Sequence, residues 1–134
     1  MSYHMKQQLE EIQDEAVLMA ALRLMEHEPV LHPDPIRIRG YSFEMLPTPC
    51  EIVLAREMTG LGADIGFHRE EDGRFSLVSD SFANRNMDTF INDLRRSYHE
   101  EKAVRTAWTQ GLRVTSRQWV EEDNRRWLQI KASR

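Results

Sequence analysis

Six side chains of this 134-residue sequence are of a type that binds borderline metals: His4, His27, His32, His68, His99 and Cys50. None falls into the short paired spacing of a zinc site. His27 and His32 lie five apart in a proline-rich stretch, so no helix face presents both. The expectation is no metal and no cofactor. Cys50 lies between Pro49 and Glu51, away from any helix N-terminus that would favour its thiolate. There is no Gly-x-Ser-x-Gly elbow. Gly60, Gly62 and Gly66 precede no helix of the phosphate-cradling kind. Glu70 and Glu71 read as solvated turn acids. Asp64 and Asp80, at the ends of an expected hairpin, read as capping or turn acids, with a carboxylate pair as the alternative.

Two constellations remain. Arg95, Tyr98 and His99 are spaced i, i+3 and i+4, so on a helix all three can meet and form an anion-binding or proton-transfer patch. The other is a C-terminal hairpin. Thr115, Arg117 and Trp119 share one face of its first strand, and Trp127, Gln129 and Lys131 share one face of its second. If those faces coincide, two tryptophans and two cations lie together, with Val114, Val120, Leu128, Ile130 and Ala132 as the core face. Such a surface stacks bases or grips a partner's side chains. With Arg113 added, it is also the natural nucleic-acid surface.

Composition limits these readings. A length of 134 residues with 40% hydrophobic and 30% charged residues describes one domain, 1–134, able to fill one core. No apolar run is long enough to cross a bilayer, and the first residues carry no apolar leader. A single cysteine makes no internal disulfide, which suits a reducing cytoplasm. Residues 1–84 hold 7 Lys/Arg against 15 Asp/Glu, and residues 85–134 hold 11 against 7, giving −8 and +4. The halves attract one another, or else the basic half meets an acidic partner or a phosphate backbone. A pI near 5.7 argues against strong nucleic-acid affinity.

The elements that would position these residues follow from pattern. Asp14 caps a helix carrying Val17, Leu18, Ala21, Leu22 and Met25 at helical spacing. Residues 5–12 before it alternate as a strand, although their composition also suits a helix. Pro29, Pro33 and Pro35 make 27–35 a connector. Residues 36–45 read as an extended segment bent at Gly40 and stopped by Pro47 and Pro49, followed by a strand from Glu51 to Met58. Residues 63–80 form a hairpin around Asp72-Gly73. Residues 87–110 form a second helix whose stripe includes Ile91, Leu94, Tyr98, Val104 and Trp108, with Glu101 an awkward charge near its centre and Gly111 its stop. Residues 113–132 form the last hairpin. This order suggests an α+β fold, a ferredoxin-like plait with two helices on one face of an antiparallel sheet and an added C-terminal hairpin strand.

The segments Met1-Ser, Asp14-Glu15, Ala63-Asp-Ile-Gly-Phe67, Gly73-x-Phe75-x-Leu-Val-x-Asp80, Arg95-x-x-Tyr98-His99 and Gln110-Gly-Leu112 follow one another along the chain. With the closing hairpin, they resemble the uncharacterised family of the hypothetical chloroplast reading frame thirty-five type. The resemblance implies a small cytosolic α+β domain with no catalytic residues to carry over. It also implies an accessory component beside ATPases of the AAA class. The resulting expectation is a non-enzymatic adaptor binding a protein partner. A nucleic-acid module on the basic hairpin, and an enzyme or anion site at Arg95, Tyr98 and His99, are the alternatives. A homodimer through a strand edge is a further expectation.

Overall fold

The computed structural model describes residues 4–60, 62–80, 87–122 and 125–133. Strand β1 (His4–Leu9) resolves the ambiguity of its composition in favour of alternation: Met5, Gln7 and Leu9 lie opposite Ser79, Leu77 and Phe75. Asp14 then starts α1 (Glu15–Leu24), its carboxylate accepting from the Val17 N–H at 3.1 Å. The helix closes with His27 N–H donating to the Leu22 carbonyl and Glu26 at φ +67°.

The stretch expected to be a connector is instead the first half of β2 (Val30–Arg39). β2 pairs with β3 (Met45–Leu54), which in turn runs through Pro47 and Pro49 rather than stopping at them. The pairing jumps from Leu31↔Ile52 to Ile36↔Cys50, so four residues of β2, two of them prolines, bulge against one of β3. Proline donates no N–H to a ladder, and an edge strand with a bulge is where that loss is tolerated. Arg37 fills the second irregularity, donating to the Leu46 and Met45 carbonyls at 2.8 and 2.9 Å. The strand expected to reach Met58 ends at Leu54, and a single turn, α2 (Arg56–Thr59), follows. Strands β4 (Ile65–Arg69) and β5 (Phe75–Asp80) form the expected hairpin. Helix α3 (Met87–Thr109) ends at Gly111 with φ +75°. The chain finishes in β6 (Arg113–Glu122) and β7 (Arg125–Ser133).

The result is an α+β architecture with a five-stranded antiparallel sheet in the order β1-β5-β4-β3-β2. The hairpin β6–β7 is a separate two-stranded sheet beside α3. Helices α1 and α3 cover one sheet face over Leu9, Ile52, Leu54, Ile65, Phe67, Phe75 and Leu77. Burial of each such side chain contributes about 1.5–3 kcal/mol. The other face is partly closed by the β2–β3 hairpin itself. Its tip bonds to Asp64 before β4 and to Asp80 at the end of β5, and Thr48 of β3 meets the His4 ring at 3.1 Å. Ile38, Leu46, Cys50, Val53 and Val78 form a small second core beneath it. Gly66 permits the contact: a Cβ there would lie 2.4 Å from the Cys50 Sγ.

Candidate functional site

Two buried carboxylates hold the tip of the β2–β3 hairpin. Asp64 accepts from the Arg39 and Arg56 backbone N–H groups, both at 2.8 Å, and from Arg39 Nε and Nη2, both at 2.9 Å. The other edge of the Arg39 guanidinium donates to both Glu57 carboxylate oxygens on α2, at 2.9 and 2.8 Å. These bonds to Asp64 and Glu57 push the Arg39 pKa up, and the Arg39 bond pulls Glu57 below the usual carboxylate range. Asp80 accepts the Tyr41 N–H at 2.8 Å. Within the turn, Gly40 N–H donates to Glu44 and Phe43 N–H to Gly40.

Phe43 is the odd residue of this turn. It holds φ +64°, a conformation that an aromatic residue rarely adopts, and its side chain is 59% exposed. The Arg56 guanidinium lies 4.4 Å from its ring centroid. Of the eight exposed large hydrophobic side chains among the described residues, six lie along this one hairpin: Val30, Leu31, Ile36, Tyr41, Phe43 and Met45. Folded domains usually scatter such residues singly, and here they are concentrated on one hairpin. The prolines and the bulge spoil the outer edge of β2 as a template for strand addition.

At the far end of the same sheet face lies a cleft of about 920 Å³, lined in part by Lys6, Glu51, His68, Arg69, Glu70 and Ser76. Most of the charges named are engaged within the cleft. Glu70 accepts from Lys6 Nζ at 2.7 Å and Ser76 Oγ at 2.8 Å, which lower its pKa. Glu51 accepts the Arg69 N–H, and the His68 ring bonds the Pro49 carbonyl at 2.7 Å. This is a clasp between β1, β3, β4 and β5.

The helix triad does not converge on solvent. Tyr98 is fully buried, and its hydroxyl accepts from the Gln13 and Asp14 N–H groups at 3.3 and 3.1 Å, tying α3 to the start of α1. Arg95 pairs with Glu11. His99 is exposed, its ring edge-on to Tyr98. Of the other histidines, His27 is half-buried against Phe90, and that burial lowers its pKa. Among the described residues no three histidine, cysteine or acidic side chains stand together to hold a metal ion. Burial pushes the Cys50 thiol up to about 12.

The terminal hairpin is assembled differently from the expectation. Trp119 pairs with Leu128, and Arg117 with Ile130, while Trp127 pairs with Val120 and Gln129 with Gln118. Directly opposed residues share a face, so positions 119 and 127 fall on opposite faces. Leu128 and Ile130 join Arg117 and Trp119, and Val120 leaves the expected core face. Lys131, opposite Ser116, shares the face of position 127, and Arg113 lies opposite Ser133. The Trp127 side chain lies outside the described residues. Arg117 answers the awkward Glu101, with Nη1 2.9 Å from its carboxylate, and Arg96 lies over Trp119 at 5.8 Å. Trp108, placed by periodicity on the buried stripe, is 57% exposed because α3 outruns the sheet.

Sequence reasoning read the bend at Gly40 but missed the two long paired strands around it, because the prolines argued for a connector before Ile36 and a stop at Pro47. The available signal was the density of apolar residues between Val30 and Met45.

No helix among the described residues is long and apolar enough to cross a membrane. No curated protein and no solved structure matches the chain. A family model described as a protein of unknown function, DUF1257, matches residues 21–127, from the last turn of α1 to the start of β7. With well over half of its length inside that match, the chain belongs to the DUF1257 family.

Proposed function

We propose that this chain is a non-enzymatic accessory domain that binds a protein partner through the β2–β3 hairpin. The observation that carries the reading is the concentration of exposed apolar side chains along that hairpin, with Phe43 in its turn held at positive φ. Backbone strain of about 1–3 kcal/mol persists where the surroundings over-determine it, commonly at ligand clamps. Here Asp64, Asp80 and Arg56 do so. A pre-ordered apolar tip loses little entropy on docking. The resemblance to accessory components of AAA-class ATPases makes such an ATPase the first partner to try, in the cytoplasm. The kinship to a ferredoxin-like plait belongs to the same proposal: it rests on two helices sharing one face of an antiparallel sheet.

The test is quantitative co-purification from native lysate, with a nuclease-treated control, comparing the wild type with Ile36→Ser, Phe43→Ser and Met45→Ser. Each removes an exposed side chain, so thermal stability should change little. The loss of a docking anchor is worth about 1–2 kcal/mol, or roughly 5–30-fold in affinity. A stoichiometric protein retained by wild type and shed by Phe43→Ser is the expected result. Equal retention by all three variants, or recovery only of nucleic acid, would overturn the reading.

A further inference from the structure

We propose that the groove between α3 and β7 is a second docking site, which takes an extended acidic-amphipathic segment of a protein along the free edge of β7. It shares no residue with the β2–β3 surface and does not depend on that reading.

The hairpin β6–β7 is short of partners. None of its described side chains is fully buried, and β7 pairs only with β6 among the described residues. A two-stranded ribbon is marginal by itself, and its stability comes from what packs on it. α3 supplies part of this through Arg117–Glu101 and Arg96–Trp119. On the β7 side the packing leaves a groove of about 510 Å³, whose lining includes His99, Lys102, Ala107, Leu112, Ile130 and Ala132.

The chemistry of that groove selects its occupant. Among the described residues no carboxylate lines it, in a chain whose net charge is −4. Lys102 on its α3 wall and Lys131 on the opposite face of β7 have no ion-pair partner among the described residues. A strand laid beside β7 sends alternate side chains to the two faces. On the groove face they would meet Leu112 and Ile130 with Lys102 at the wall, and on the outer face Lys131. An alternation of apolar and acidic residues satisfies both, while backbone hydrogen bonds to the β7 edge supply register. A basic segment would confront both lysines. A nucleic-acid strand has no backbone N–H or C=O to pair with that edge.

The experiment uses the full chain and three dye-labelled probes: a short peptide alternating glutamate and valine, its lysine–valine counterpart, and a short oligothymidylate. Binding is followed by fluorescence anisotropy at low salt, and the site is mapped by amide chemical-shift changes. A strand-sized contact is below the standard interface area, so a Kd of roughly 10–100 μM is expected for the glutamate peptide. Shifts should be confined to residues 99–112 and 128–133. Lys102→Glu should weaken binding at least about tenfold, which is about 1.4 kcal/mol, and Lys131→Glu by a smaller factor. Both residues are on the surface, and circular dichroism checks that the fold survives. Several results would overturn the proposal: no binding of the glutamate peptide up to about 1 mM, equal binding of the lysine peptide, displacement by oligothymidylate, or shifts centred elsewhere. Self-association through β7 that leaves no free edge would overturn it too. None of these outcomes bears on the hairpin tip, whose own variants are tested separately.

Discussion

Replacing Gly66 by alanine should destabilise the fold, although the same change in an ordinary strand is favourable. Gly66 lies in β4 at the contact between the sheet and the β2–β3 hairpin. An added Cβ would lie 2.4 Å from Cys50 Sγ, 2.9 Å from Cys50 Cβ and 3.2 Å from Ile38 Cγ2. All three atoms belong to buried residues of the hairpin, so the strain must be relieved by moving its strands. Over-packing of this kind costs about 1–3 kcal/mol. The narrower unfolded ensemble of alanine offsets about 0.4–1 kcal/mol of that. The net expectation is a loss of about 1–2 kcal/mol, read as a lower urea midpoint with unchanged slope. Cys50→Ala alone should cost about 1 kcal/mol for the lost packing. In the double variant the nearest clash recedes from Sγ to Cβ, so the two losses should fall short of additivity by about 1 kcal/mol. If Gly66→Ala is neutral or stabilising, or if the losses simply add, the hairpin does not press on the sheet. The tip would then not be rigidly placed.

Three further expectations follow from the same contacts. Asp64→Asn keeps the shape but turns an amide N–H₂ toward donors, and should cost about 2–4 kcal/mol in urea unfolding, discounted from a fully buried pair because Arg39 is partly exposed. Tyr98→Phe leaves the Gln13 and Asp14 N–H groups without their acceptor and should cost about 1–2 kcal/mol, with partner binding unchanged. The Cys50 thiol is raised from its ordinary 9.0 to about 12, so its contribution to stability is complete below about pH 9 and is lost as pH rises toward 12. A thiol reagent at pH 8 should therefore leave the native protein unmodified and label it only after denaturation, and rapid native labelling would contradict the burial.

The elements of regular period were legible in the sequence. Asp14 with its following apolar stripe, the Asp72-Gly73 turn and the Gly111 stop are local signals that tertiary contacts did not override. The β2–β3 hairpin was hidden because proline propensity speaks against a strand, while its bulge and Arg37 supply what the prolines remove. The terminal hairpin was legible as a hairpin but not in its faces. Period-2 alternation fixes which residues of one strand go together, whereas the cross-strand register decides which face of β7 meets Trp119. Glu101 was awkward only until Arg117, sixteen residues on, came to lie beside it. Tyr98 could be read as binding or packing from its spacing alone, and the burial of its hydroxyl against the first turn of α1 is a tertiary fact.

The most direct test of the central claim is site-specific photo-crosslinking in the native host. A photoreactive phenylalanine analogue is placed at position 43, with a control at the exposed Asn92 of α3. A single protein adduct from position 43, absent from the control and reduced by Met45→Ser, is the result this account predicts. Equal labelling from both positions, or no protein adduct from position 43 while the fold is intact, would contradict it.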